Sequence, residues 1–130
     1  VGVDVTSVGV EFKEPVEVGE LVSLSASVNY VGNSSMIIGI RVESLKPKTG
    51  QKKHTNSCYF TMVAKNEDGT LMQVPKLIFQ NNEDIRRFWD AKNLKKMRNE
   101  ITVMLKTVVK EMSFDAMLLS IEGARFELGF

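Results

Sequence analysis

Apolar and polar residues alternate through most of the first half of the chain. From Leu21 to Tyr30, Val22, Leu24, Ala26, Val28 and Tyr30 share one parity, and Ser23, Ser25, Ser27 and Asn29 share the other. A period of two predicts a half-buried antiparallel strand. Met36 to Glu43 repeats the pattern, with Met36, Ile38, Ile40 and Val42 against Arg41 and Glu43. Gly32-Asn33-Ser34 between them has tight-turn composition, so the two strands read as a hairpin. Lys46-Pro47-Lys48-Thr49-Gly50 turns the chain into a long strand from about Lys53 to Lys65, which Asn66-Glu67-Asp68-Gly69 closes. The opening stretch, Val1 to Phe12, also alternates: Val1, Val3 and Val5, then Val8, Val10 and Phe12, until Pro15 and Gly19 interrupt it. Four strands joined by short loops predict an antiparallel meander.

Beyond about residue 80 the period changes. Ile85, Phe88, Trp89, Leu94, Met97, Ile101, Met104, Leu105, Val108 and Met112 recur at spacings of three and four, with no Gly or Pro between Ile85 and Met112. Asn82-Glu83-Asp84 supplies a capping side chain and acids at the start. A helix of about 28 residues would be about 42 Å long, beyond the usual globular length, so a break is expected near Asn93 or Asn99. After Phe114, a short helix through Met117, Leu118 and Ile121 is expected, followed past Gly123 by a strand over Ala124–Phe130. Residues 1–80 thus read as a sheet and 81–130 as a helix and tail of the same domain.

Composition narrows the class. With 130 residues, 43% hydrophobic and 25% charged, the chain reads as one soluble domain. A net charge of +1 gives no global field toward nucleic acid or a membrane surface, so neither is expected as a partner. One cysteine, Cys58, excludes an internal disulfide, and no apolar run is long enough to span a bilayer. No secretory signal is present, and a cytoplasmic location is expected. The chain starts without Met, which reads as a fragment or a trimmed protein.

Several short segments, in order, carry a resemblance: Val10-Glu11-Phe12-Lys13-Glu14-Pro15-Val16-Glu17-Val18-Gly19-Glu20, Gly32-Asn33-Ser34-Ser35-Met36, and His54 through Ala64. Val74-Pro75-Lys76-Leu77 and the helix around Arg86-Arg87-Phe88 continue it. Each alone is strand plus turn; together, from about Val1 to Met97, they resemble the acyl-CoA thioesterases of the hotdog-fold superfamily, in the branch of bacterial acyl-CoA hydrolases and brain-type acyl-CoA hydrolase. The resemblance implies an α+β fold, a hotdog-type curved antiparallel sheet with a C-terminal helical extension. It implies hydrolysis of acyl-CoA to fatty acid and CoA, no cofactor beyond coenzyme A as part of the substrate, and a homodimer or higher homo-oligomer with the ester along the protomer interface. It places a first strand and a central helix, the latter carrying the catalytic carboxylate or amide in a Gly-Gly and Met-Asp type motif, ahead of the position of Val1. No counterpart of that motif occurs in this sequence.

Thioester hydrolysis needs a base to activate water and donors for the oxyanion; CoA adds a need for positive charge and an apolar groove. Lys46, Lys48, Lys52 and Lys53 cluster around one turn and fit either phosphate binding or a solvated hairpin tip. Asn33, Ser34 and Ser35 fit either ligand contact or ordinary turn chemistry. These seven form the expected CoA-binding set. The catalytic residue is unknown. Asp115, in the tail, is the one candidate replacement carboxylate, on the idea that the tail covers an apolar sheet face. His54, the only histidine, rules out a His-pair metal site, and no metal is expected. It reads as a strand-end polar residue. Cys58 shares a face with Phe60 and Met62 and reads as a core thiol. Asp4 and Glu11 read as surface strand residues, the methionine stripe as packing, and Lys92, Lys95, Lys96 and Arg98 as a solvated basic face. Two alternatives to the enzyme stay open: an acyl-CoA or acyl-carrier binding module without catalysis, and an oligomerisation domain built on the long helix.

Overall fold

The computed structural model describes Gly2–Phe130, with the backbone alone at Val3 and Ser7; Val1, where the first expected strand begins, lies outside the described residues. Four strands, β1 (Gly2–Phe12), β2 (Leu21–Val31), β3 (Ser35–Leu45) and β4 (Lys52–Lys65), are followed by α1 (Asn82–Glu111) and α2 (Phe114–Ser120). The chain divides into two compact units, one ending at Lys92 and one spanning Asn93–Phe130.

The sheet is antiparallel throughout, but its order is β1-β4-β3-β2. The two expected hairpins form, β2 with β3 and β3 with β4. The expected meander does not, because β1 pairs with β4 rather than β2. The connection between β1 and β2 is too long for a tight hairpin and crosses the end of the sheet. Lys13 and Glu14 both donate their backbone N–H to the Thr55 carbonyl, at 2.8 and 3.0 Å. Gly19, at φ +93°, then turns the chain back into β2 in a conformation that costs a glycine least.

Three register shifts shape the faces. One falls between Val5 and Ser7 in β1, one between Val28 and Tyr30 in β2, and one opposite the Val42–Glu43 step, where Thr55 is the extra residue of β4. A bulge places two residues against one and reverses the parity beyond it. In β1 it keeps Val5, Val8 and Val10 on one face, in register with Met62, Phe60 and Cys58. In β2 it overturns an expectation: Tyr30 does not share the face of Val22, Leu24, Ala26 and Val28. It stands opposite Ile37 on the other face, where its ring lies 4.9 Å from Phe88 of α1, and Phe88 meets Phe79 edge-on at 5.3 Å. Among the described residues, Ile37, Val42, Ala64 and Ala91 are the buried apolar ones.

Gly39 sits opposite Ser27 and Tyr59, and a Cβ there would lie 2.3 Å from Asn29 Nδ2. The Asn29 side chain is buried and accepts a 2.7 Å hydrogen bond from Ser27 Oγ, so it does not move aside freely. Gly39→Ala is expected to lower stability by about 1–3 kcal/mol in urea unfolding, through overpacking and loss of that bond. Gly2→Ala, with open space around it, is the control and should change nothing measurable.

The helix α1 begins three residues ahead of the expected Ile85. Asn81 Oδ1 accepts from Asp84 N and Asp84 Oδ2 accepts from Gln80 N, both at 2.9 Å, which closes the start reciprocally. It runs 30 residues to Glu111 with no break at Asn93 or Asn99. An asparagine costs a helix well under 1 kcal/mol, too little to interrupt it without Gly or Pro. The expected strand over Ala124–Phe130 is absent: Gly123, at φ +86°, ends the turns after α2, and no neighbouring strand pairs with the segment.

Candidate functional site

The sheet sorts side chains by chemistry. Val8, Val10, Cys58, Phe60, Ile38, Ile40, Leu24 and Val28 lie in register across all four strands on one face. On the edge strands this face is open: Phe12 is 82% and Leu24 66% exposed, and Val10 and Val22 are also exposed. The opposite face carries Ser23, Ser25, Ser27, Arg41, Glu43, Ser57 and Glu11.

The two expected ligand-binding clusters lie at opposite ends of β3. From Ser35 to Lys46 the chain advances eleven residues along β3, about 36 Å at the strand rise. At one end, Gly32 N donates to Ser35 O to close the β2–β3 turn. The carbonyls of Asn33 and Ser34 accept from Val74 N and Ala64 N, each at 2.8 Å, which leaves the exposed Asn33 side chain and the half-buried Ser34 and Ser35 at the surface. At the other end the lysines are not equivalent. Lys46 reaches Glu17 at 3.9 Å, Lys52 reaches Glu43 at 4.0 Å and Lys53 reaches Glu20 at 3.4 Å. Lys48 is exposed and has no ion-pair partner among the described residues. The sequence therefore grouped residues that one copy of the sheet holds far apart.

A cluster that sequence reasoning missed closes this second end. Glu20, just after the Gly19 turn, has a side chain only 4% exposed, and Ser44 is buried beside it. Neither carboxylate oxygen nor Ser44 Oγ completes a hydrogen bond of good geometry among the described residues. The Ser44 hydroxyl dipole, foremost, and the Lys53 ammonium hold the Glu20 carboxyl below the ordinary glutamate range, against the opposing effect of desolvation. The signal was available: a glutamate held between a turn glycine and the first residue of a strand.

His54 is not isolated. Its Nε2 lies 3.1 Å from the Asn56 carbonyl and 2.9 Å from Ser57 Oγ. A carbonyl only accepts, so in the tautomer that satisfies Asn56 the proton sits on Nε2 and Ser57 Oγ accepts; in that tautomer Ser57 has no base. Glu43, across from His54, is held below its ordinary range chiefly by the Arg41 guanidinium at 2.9 Å. Cys58 lies on the apolar face and accepts a long contact from Asn56 Nδ2 at 3.5 Å, a packed thiol. Asp4 pairs with Lys65 at 2.6 Å and Glu11 is exposed on β1. Asp115 occupies the first turn of α2, exposed, in the unit that does not contain the sheet. Among the described residues no three His, Cys, Asp or Glu side chains group as metal ligands, and no helix is long and apolar enough to cross a membrane.

Residues 2–51 match the thioesterase superfamily. The chain is 49% identical over 90 residues to protein VdlD of Helicobacter pylori, spanning 69% of this chain and 51% of that protein. It is 33% identical over 88 residues to mouse acyl-coenzyme A thioesterase 11, spanning 67% of this chain and 15% of that protein. The crystal structure of an apo-hexameric acyl-CoA thioesterase superposes with a TM-score of 0.72 at 32% identity, over 77% of this chain and 65% of that one. The chain thus spans about half the length, or less, of the curated relatives it matches. Its α+β architecture, an antiparallel hotdog-type sheet followed by C-terminal helices, is shared with that structure.

Proposed function

Because this chain belongs to the thioesterase superfamily, with its hotdog-type sheet, we propose that the protein hydrolyses acyl-CoA thioesters to a carboxylic acid and coenzyme A. The observation that carries this reading is the amphiphilic layout of the sheet, an open apolar face running between two polar ends. An acyl chain laid on Val10, Phe12, Val22 and Leu24 gains about 0.8 kcal/mol per methylene buried. Phosphates suit the Lys48 end. Exposed ion pairs such as Lys46–Glu17 and Lys52–Glu43 are worth only about 0–1 kcal/mol, so an anion displaces them at small cost. Lys53 belongs to the fold, because the covered Glu20 holds it. With Asn33, Ser34 and Ser35 about 36 Å from these lysines, we assign the two sets to ligands shared between copies of a homo-oligomer.

Catalysis on this reading needs a water-activating base. Glu20 is excluded by its covered oxygens. Asp115 is exposed and remains the candidate. The test is release of CoA thiol from acetyl- to palmitoyl-CoA by the 130-residue chain and by Asp115→Asn. Turnover above the uncatalysed rate is expected, and a drop of about 100-fold in Asp115→Asn if that carboxylate is the base. An unchanged rate removes Asp115 from the mechanism. A second reading, binding without hydrolysis, is favoured by the engagement of Glu20, the covered carboxylate at the end of the apolar face. Retention of CoA with no thiol release selects it.

A further inference from the structure

The second half of α1 has an arrangement that the sheet does not account for. Every residue from Asn99 to Glu111 is exposed, and the unit Asn93–Phe130 contains no buried residue among those described. A solvated helix of this length is marginal without an apolar face packed on something. Leu94, Met97, Ile101, Met104 and Val108 repeat at spacings of three, four, three and four, with Leu105 and Met112 beside them. At 3.6 residues per turn they form one stripe about 100° wide. Met104 is 63% exposed, and Met97, Ile101, Leu105 and Val108 are exposed as well. Alternating three–four spacing, with β-branched Ile101 and Val108 at one seam position and Met97 and Met104 at the other, is the pattern that inserts into an identical helix.

We propose that this stripe is an interface between two copies of the chain, with the two α1 helices side by side and running in the same direction. The margins of the stripe select the direction. One margin carries Arg98, the other Glu100 and Glu111. Helices running the same way set the basic margin of one copy against the acidic margin of the other. Helices running opposite ways set like against like. The area is sufficient: the five exposed apolar side chains at roughly 100 Å² each offer about 500 Å². A stable interface buries about 800 Å² per partner, some three fifths of it apolar. A lipid surface fits less well, because the acidic margin would be pressed against the headgroups.

The test uses the whole chain with Cys58→Ser and a single new cysteine. Same-direction pairing brings the two 97 positions face to face, so Met97→Cys is expected to oxidise almost completely to a disulfide-linked dimer. Val103→Cys, on the outer side of the helix, should not. Opposite-direction pairing about Ile101 would hold the two 97 positions about 12 Å apart. In parallel, sedimentation of Ile101→Glu/Val108→Glu is expected to give half the parent mass, with the sheet signal in circular dichroism retained. Equal crosslinking at 97 and 103, or an unchanged mass in the double variant, overturns the proposal. Loss of binding to anionic phosphatidylserine vesicles at unchanged mass would assign the surface to lipid and equally overturn it.

Discussion

Ile37→Ala is expected to lower the stability of the chain by about 3 kcal/mol, within the range of about 2–5 kcal/mol for truncating a buried isoleucine. Ile37 is 3% exposed on a central strand, in register with Tyr30 on one side and Thr61 on the other. Tyr30, in turn, packs against Phe88 with the rings tilted at 46°, so the cavity would open beneath the contact between sheet and helix. The effect is large because the core is small: Val42, Ala64 and Ala91 are the other buried apolar residues among those described. Total stability for a domain of this size is about 5–15 kcal/mol, so one such residue is a sizeable share. A melting temperature lower by roughly 10 °C is the readout. Val18→Ala, at a fully exposed loop position, should stay within about 0.5 kcal/mol. Equal shifts for the two would show that the Tyr30–Phe88 side of the sheet is not the core.

How far the fold was legible depended on whether a feature left a trace in parity. In β1 the apolar residues pass from odd positions, ending at Val5, to even ones, beginning at Val8. That switch is the bulge itself, visible in the sequence because both sides of it are apolar. In β2 the bulge falls at Asn29, with Tyr30 beyond it continuing the apparent alternation. Nothing in the residue types marks the shift, so the sequence assigned Tyr30 to the wrong face. Strand order was less legible still. Local alternation says which residues form strands, whereas the pairing of β1 with β4 rests on contacts such as Lys13 to Thr55, distant in sequence. The candidate site shows the same limit. The lysines and the Asn33-Ser34-Ser35 turn were found as types, but their separation by the length of β3 is a property of the hairpin. The burial of Glu20 depends on Ser44 and Lys53 arriving from two other strands.

That buried carboxylate makes the second large prediction, a change in the pH dependence of stability. Glu20 binds its proton less tightly in the folded chain than its ordinary value of about 4.5. A depressed value contributes stability that is present above the unfolded value and lost as pH falls through the folded one. The unfolded chain takes up the proton first, so acid pulls the equilibrium toward unfolding. Parent protein should therefore lose melting temperature as pH falls from about 5 toward 3. Glu20→Gln removes this contribution and leaves the largely covered Lys53 beside a neutral amide. At pH 7 the variant should melt clearly below the parent, because an ammonium held out of water has lost its counter-charge. Once pH has fallen below the lowered folded value the two curves should converge, since the parent's carboxyl is then also neutral. Glu17→Gln, which removes an exposed pair with Lys46, should run close to the parent throughout. If the Glu20→Gln and parent curves stay parallel from pH 3 to 8, Glu20 does not act as a buried charge. The attachment of the β1–β2 connection would then rest on the Lys13 and Glu14 hydrogen bonds to Thr55 and the exposed Lys46–Glu17 pair.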